Sequence, residues 1–83
     1  MKHNIYSIYD SKAEAYSLPF YMQHEAQAIR TLQDWTNNPE TPYSKHPEDY
    51  TLFHLGTYDE ITGTITQDKI TSVVNSLALK EAV

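Results

Sequence analysis

The sequence contains no cysteine, only two glycines among its 83 residues, and few positive charges. Without cysteine, neither disulfide bonds nor thiolate zinc sites can stabilise the chain. A chain of this length builds a hydrophobic core that is barely sufficient by itself, so we expect it to form a homodimer. We predict one domain over residues 1–83, held together by packing alone.

Long apolar runs are also absent, and so is the charged and then apolar start of an export signal. We therefore expect an intracellular protein that does not enter membranes. Six lysines and arginines stand against eleven aspartates and glutamates, which gives a formal net charge of -5. The cations are scattered, whereas duplex phosphates need clustered cations, so this composition disfavours tight non-specific binding of DNA.

Known catalytic and metal-binding motifs are missing. The four histidines are His3, His24, His46 and His54. Their spacing is too irregular for HExxH or for a set of two histidines and a carboxylate. Glu48 and Asp49 follow His46 closely, but neighbouring acids in an open loop are usually solvated turn residues. We predict a non-enzymatic protein without cofactor or metal.

The first quarter of the chain predicts two strands. Asn4 to Tyr9 is rich in β-forming residues, and Ile5 and Ile8 fall on opposite faces, so both faces should be covered. A second extended run, from Ala15 to Met22, contains Pro19, which cannot donate to a ladder. We expect this run to be a broken strand that wraps onto the core.

The spacing of apolar residues from about His24 to Thr36 predicts the main helix. Its predicted apolar face consists of Ala26, Ala28, Ile29, Leu32 and Trp35. Pro39 ends the helix, because proline disfavours a helical conformation in the residue before it.

The second half predicts a hairpin. Tyr50 to Tyr58 alternates as a strand that should turn Phe53 and Leu55 inward, Asp59 to Gly63 form the turn, and Thr64 to Gln67 return. Residues 69–79 predict a short helix capped by Asp68 or Thr71, with Val73, Val74 and Leu77 as its apolar edge. The fold class is therefore α+β: a small antiparallel sheet of three or four strands packed against one main helix, with a C-terminal hairpin and a short terminal helix or tail.

Tyrosine is the most suggestive residue type, with seven in the chain. Aromatic faces on a sheet with nearby cations can stack nucleic-acid bases, and tyrosine is also common in protein interfaces. Each of these side chains could equally belong to the core. The candidate residues for binding nucleic acid or a partner are Lys2, Tyr6, Tyr9, Lys12, Tyr16, Tyr21, Arg30, Lys45, His46, Glu48 and Tyr50.

Several blocks of the sequence have a familiar order. They are Ser7–Ala13, Ala15–Tyr16, Pro19–Phe20, Lys45–Tyr50, Leu52–Phe53, Gly56, Tyr58–Asp59 and Thr62–Gly63. Over about residues 2–66 these blocks resemble the small non-structural protein of gokushoviruses, which are microviruses with circular single-stranded DNA genomes that infect bacteria.

That resemblance implies a role like that of the C-type protein of microviruses, which diverts the replication complex from duplex synthesis to single-strand packaging. It implies replication or procapsid proteins as partners, in the cytoplasm of the bacterial host. Two alternatives stay open: direct binding of single-stranded DNA by a tyrosine-rich sheet, and inhibition of a host enzyme by an acidic surface. Grouping of Glu48, Asp49, Asp59 and Glu60 around one rim would favour the inhibitor.

Overall fold

The computed structural model describes residues 1–67 and 69–81. The strands are β1 (Lys2–Asp10), β2 (Ala15–Tyr16), β3 (Phe20–Met22), β4 (Tyr50–Asp59), β5 (Thr64–Thr66) and β6 (Thr71–Asn75). The helices are α1 (Glu25–Thr36), α2 (Pro42–Lys45) and α3 (Ser76–Leu79), and a 3₁₀ turn spans Pro47–Asp49. The predicted α+β class, with one main helix on an antiparallel sheet, is confirmed.

The centre of the sheet is the antiparallel ladder between β1 and β4, which runs from Lys2 opposite Asp59 to Asp10 opposite Tyr50. A register shift between Ile5 and Tyr6 interrupts the ladder once. The other edge of β1 pairs with β2 and β3, and the other edge of β4 pairs with β5 and β6. The sheet thus has four strand positions, of which both outer ones are divided into two short strands.

The break between β2 and β3 lies where Pro19 predicts it. Ser17 bridges the break: its amide donates to the carbonyl of Ile8 (2.8 Å), and its Oγ accepts from the Ile8 amide (3.0 Å). The Oγ of Ser7 donates to the Ser17 carbonyl at 2.8 Å, which lets Ser7 be fully buried. The predicted broken strand is confirmed.

The core lies between one face of the sheet and α1. It is formed by Tyr6, Ile8, Ala28, Leu32 and Leu52. The predicted face of the helix needs two corrections: Ala26 is exposed, and Trp35, at 36% exposure, lies at the margin against Phe20 and Tyr43. Thr36 is buried instead, because its hydroxyl donates to the Leu32 carbonyl at 2.7 Å and brings no unpaired polar atom into the core.

The predicted inward face of β4 is also wrong. Leu52 is completely buried against α1, whereas Phe53 and Leu55 are half-buried on the opposite side of the sheet. Leu52 and Phe53 are neighbours of similar apolarity, so alternation alone cannot tell which of them the helix covers. At β1 both Ile5 and Ile8 are buried as predicted, but α1 covers only the face that carries Ile8.

The C-terminal segment differs from its prediction. Residues 71–75 form β6, not a helix, because an edge of β4 is available and the β-branched Thr71, Val73 and Val74 favour a strand. The final helix begins only at Ser76, and its cap is Asn75, whose side chain accepts from the Leu77 amide at 2.9 Å. The predicted cap Asp68 lies outside the described residues.

The hairpin between β4 and β5 is confirmed. Gly63 has a φ of +74°, and its amide donates to the Asp59 carbonyl at 2.7 Å. The side chain of Asp59 accepts from the Ile61 amide at 3.0 Å, and this bond lowers the pKa of the carboxyl. Among the helices of the described ranges, none combines the length and the apolar character that crossing a membrane requires.

We expect Gly56→Ala to lower the free energy of unfolding by about 1 to 3 kcal/mol, because a Cβ there would collide with the carbonyl oxygen of Thr66 and lie 3.0 Å from the Cα of Gln67. The matched change Gly63→Ala meets no atom within 4 Å and should cost only the roughly 1 to 2 kcal/mol of a positive φ. Urea denaturation measures both. An unchanged free energy of unfolding in Gly56→Ala would contradict the close approach of the Thr66 and Gln67 backbone to Gly56.

Candidate binding surface on the open sheet face

The helical layer covers only one face of the sheet. We call the other the open face and define it by the aromatic and aliphatic side chains, together with His3, that the strands place there beside smaller polar ones such as Ser7, Thr51 and Ser72. The defining side chains are His3, Ile5, Tyr9, Tyr16, Tyr21, Phe53, Leu55, Tyr58 and Ile65. Because β1 and β4 run the length of the sheet, the open face is a strip with two ends.

One end of the open face is an aromatic cluster. The ring centroids of Tyr9 and Tyr16, which are paired across β1 and β2, are 4.7 Å apart. Phe53 meets both rings edge-on, at 6.1 Å from Tyr9 and 5.6 Å from Tyr16. Tyr16 remains 48% exposed, so the cluster offers a wide apolar surface with hydroxyl groups at its margin.

The middle of the open face is an apolar pit of about 230 Å³. Its lining residues are Ile5, Pro19, Tyr21, Leu55, Gly56, Ile65, Thr66 and Gln67. Ile65 is 62% exposed and Tyr21 is 49% exposed, so the rim of the pit is both apolar and accessible. The chain crosses Gly56 closely here, and the absent Cβ allows that crossing.

The other end of the open face is a notch of about 510 Å³ between His3, Tyr21, Tyr58 and Glu60. The centroids of the two tyrosine rings are 6.0 Å apart. Nε2 of His3 lies 3.3 Å from Oε2 of Glu60, and both side chains are partly exposed. The notch combines aromatic walls with one carboxylate.

Charge is scarce on the open face. The nine side chains that define it include no lysine, arginine, aspartate or glutamate. The nearest acid, Glu60, lies at the notch, and Lys2 lies beside Asp59 at the same end of the sheet. An apolar surface of this kind is suited to a protein partner and poorly suited to phosphate groups.

The predicted binding residues divide between this surface and the rest of the molecule. Tyr9, Tyr16 and Tyr21 lie on the open face. Tyr50 lies on the helical side, where its ring meets that of Tyr43 at 4.8 Å. The charged candidates and His46 are spread over a strand end, a turn, the outer side of α1, and the segment of α2 and the 3₁₀ turn; they are Lys2, Lys12, Arg30, Lys45, His46 and Glu48.

Tyr6 is the clearest correction, since it is completely buried under α1 and cannot stack on a base. It lines a depression of about 430 Å³ with Asn4, Glu25 and His54, where Nε2 of His54 and Oδ1 of Asn4 are 3.0 Å apart. Burial, with a smaller effect from Glu25, raises the pKa of Tyr6 to about 12. Its hydroxyl has no hydrogen-bond partner among the residues that the structure describes.

Several residues of the open face were not predicted. The alternation in the sequence predicts that Phe53 and Leu55 face the core, and it places Tyr58 and Ile65 in strands without a role in binding. Their shared position follows from the pairing of β4 with β1 and β5, in which Tyr58 faces both His3 and Ile65. Period-2 alternation puts Phe53 and Leu55 together, but only the position of α1 shows that their face is uncovered.

A second group of acids with a histidine lies just before β4. Ligand atoms of His46, Glu48 and Asp49 lie within 4.8 Å of one another, with His46 and Glu48 exposed. Exposed acids often lie this close without binding an ion. Glu48 and Asp49 precede β4, whereas Asp59 is its last residue and Glu60 follows it, so a strand of ten residues separates the two pairs by roughly 30 Å. The four acids therefore do not form the single rim that would favour an inhibitor.

The sequence of the chain matches a known protein family. The family described as "Phage ORF5 protein" matches residues 3–79, which is nearly the whole chain. The chain belongs to that family. Membership in the Phage ORF5 protein family makes it a phage accessory protein, and the matched range contains all nine side chains of the open face. No curated protein and no solved structure matches the chain.

The pKa of Tyr6 leads to a test of its burial. Because burial raises the pKa of the phenol in the folded protein, we expect the contribution of Tyr6 to stability to be fully present below pH 10 and to fall by up to about 1.4 kcal/mol per pH unit between pH 10 and 12. Tyr43 and Tyr50, whose pKa values are also raised, add to that fall. Tyr6→Phe should make the loss of stability between pH 10 and 12 smaller. Urea denaturation at several pH values measures this loss.

At neutral pH we expect Tyr6→Phe to be neutral or slightly stabilising, because it removes a buried hydroxyl that lacks a partner. The exposed Tyr16→Phe is the matched control and should leave the pH dependence as it is in the wild type. A loss of 2 kcal/mol or more in Tyr6→Phe at pH 7 would mean that the hydroxyl makes an important hydrogen bond.

Proposed function

We propose that this protein is a non-enzymatic accessory protein of a small single-stranded DNA phage of the gokushovirus type. In the proposal it works in the cytoplasm of the bacterial host, at the switch from genome replication to single-strand synthesis and packaging. It acts by docking its open face on a replication or procapsid protein. The observation that carries the proposal is this exposed aromatic sheet face with little charge, in a member of the Phage ORF5 protein family.

The chemistry of the open face supports docking. Tyr16 and Tyr21 are each about half exposed, and Ile65 is more so, and all three lie on one face, where a contiguous exposed apolar patch marks an interaction site as single exposed residues do not. Tyrosine and phenylalanine are enriched in the centres of protein interfaces, where charged residues are depleted. The aromatic cluster, the pit and the notch give the open face a shape to which a specific partner could be complementary.

The distribution of charge supports a protein partner over nucleic acid. The whole chain carries a net charge of -5, and the cations nearest to the open face are at its ends. Lys12 lies in the turn between β1 and β2, and Lys2 lies beside Asp59. A strand of DNA laid along the open face would bring its phosphates close to few cations.

We expect Tyr16→Ala to weaken binding to the phage protein that is the true partner by at least tenfold, because the change removes an exposed aromatic anchor from the cluster. The measurement is the dissociation constant for the purified replication initiator and for the purified procapsid protein of the same phage. Arg30→Ala is the matched control, since Arg30 is exposed on α1, on the other side of the sheet. Absence of binding to both proteins, or equal binding by both variants, would contradict the proposal.

A second candidate function is direct binding of single-stranded DNA. Tyr9, Tyr16 and Tyr21 do lie on one face, as a platform for stacked bases would require. If they stack bases, an oligothymidine should quench tyrosine fluorescence at low salt, and the quenching should weaken in Tyr16→Ala. Quenching without any binding to the initiator or to the procapsid protein would replace the first proposal with this one.

A further inference from the structure

Two of the depressions on the open face are neighbours, and Tyr21 lines both of them. We propose that together they recognise an arginine side chain of the partner protein in the notch and an apolar side chain near it in the pit. This inference rests on the proposed function, because it names the chemistry of the partner that docks on the open face.

The pit is suited to one aliphatic side chain. Ile5, Leu55 and Ile65 supply apolar walls, and its volume of about 230 Å³ is larger than that of a single leucine side chain. Ile5 is only 6% exposed while Ile65 is 62% exposed, so the pit has a covered floor and an accessible rim. An aliphatic group that enters it would cover apolar surface that now faces water.

The notch offers the features that bind a guanidinium group. Tyr21 and Tyr58 present ring faces and edges, and arginine stacks on aromatic rings more readily than lysine does. Glu60 supplies a carboxylate that is 49% exposed. His3 contacts Oε2 of that carboxylate, which holds its position and leaves Oε1 to accept from a guanidinium N–H.

The carboxylate of Glu60 is the charge that a cationic side chain would meet in the notch. Asp59 and Glu60 are adjacent in sequence, and the two cationic groups that act on Asp59 are the N-terminus and Lys2. Glu60 has His3 as its partner, at 3.3 Å. A carboxylate in this position would repel phosphate and attract an arginine, in keeping with the net charge of -5.

The test uses the tripeptide Ac-Leu-Gly-Arg-NH2, in which leucine and arginine can point to the same side of an extended backbone. Its binding to the full ¹⁵N-labelled chain is followed by amide chemical shifts. We expect the shifts to centre on Tyr21, Tyr58 and Glu60. The control peptide has citrulline, the neutral isostere of arginine, and its association constant should be about three- to tenfold lower.

The matched protein variants are Glu60→Gln and Glu40→Gln. Both remove one negative charge, but Glu40 lies in the loop between α1 and α2. Glu60→Gln should remove most of the preference for arginine over citrulline, and Glu40→Gln should keep it. Equal binding of the two peptides to the wild type, or shifts that map away from the notch, would overturn the inference. Docking of the phage protein is tested separately at the aromatic cluster, through Tyr16→Ala.

Discussion

The ladder between β1 and β4 is the interaction on which the rest of the structure depends. It joins the strand nearest the N-terminus to a strand about fifty residues later, and each short outer strand pairs with one of these two. The main helix lies between the two strands in sequence and packs over them in space. Closing this long connection costs chain entropy, which the burial of Tyr6, Ile8 and Leu52 against α1 must offset.

The single helical layer also explains where binding chemistry can lie. A sheet covered on one side leaves the alternate residues of its strands facing outward, and here the larger of those residues are mostly aromatic or aliphatic. The elements that the structure describes place no second layer over them. In the proposed function, this face of the sheet makes the contact with the partner.

Much of the architecture could be read from the sequence. Pro19 marked the break between β2 and β3, Gly63 marked the turn of the hairpin, and the apolar spacing before Pro39 marked α1. The errors arose where local pattern is ambiguous. Val73 and Val74 fit either a helix edge or a strand, and only the available edge of β4 decides between them.

The candidate site was harder to predict for the same reason. Tyr6 and Tyr9 look alike in sequence, yet the first is under the helix and the second is on the open face. Which side α1 covers depends on the handedness of the connection from β3 to β4, and no single residue encodes it. Phe53, Tyr58 and Ile65 join the site only through pairings between strands that are distant in sequence.

The two breaks in the outer strands have a consequence for the behaviour of the protein at high concentration. An unbroken, straight sheet edge is a template on which another chain can add a strand, and repeated addition leads to fibres. Here Ser17, Leu18 and Pro19 interrupt one edge, and the other edge is divided between β5 and β6. The protein can thus expose an apolar sheet face while each edge strand that the structure describes presents five residues or fewer to a neighbouring chain.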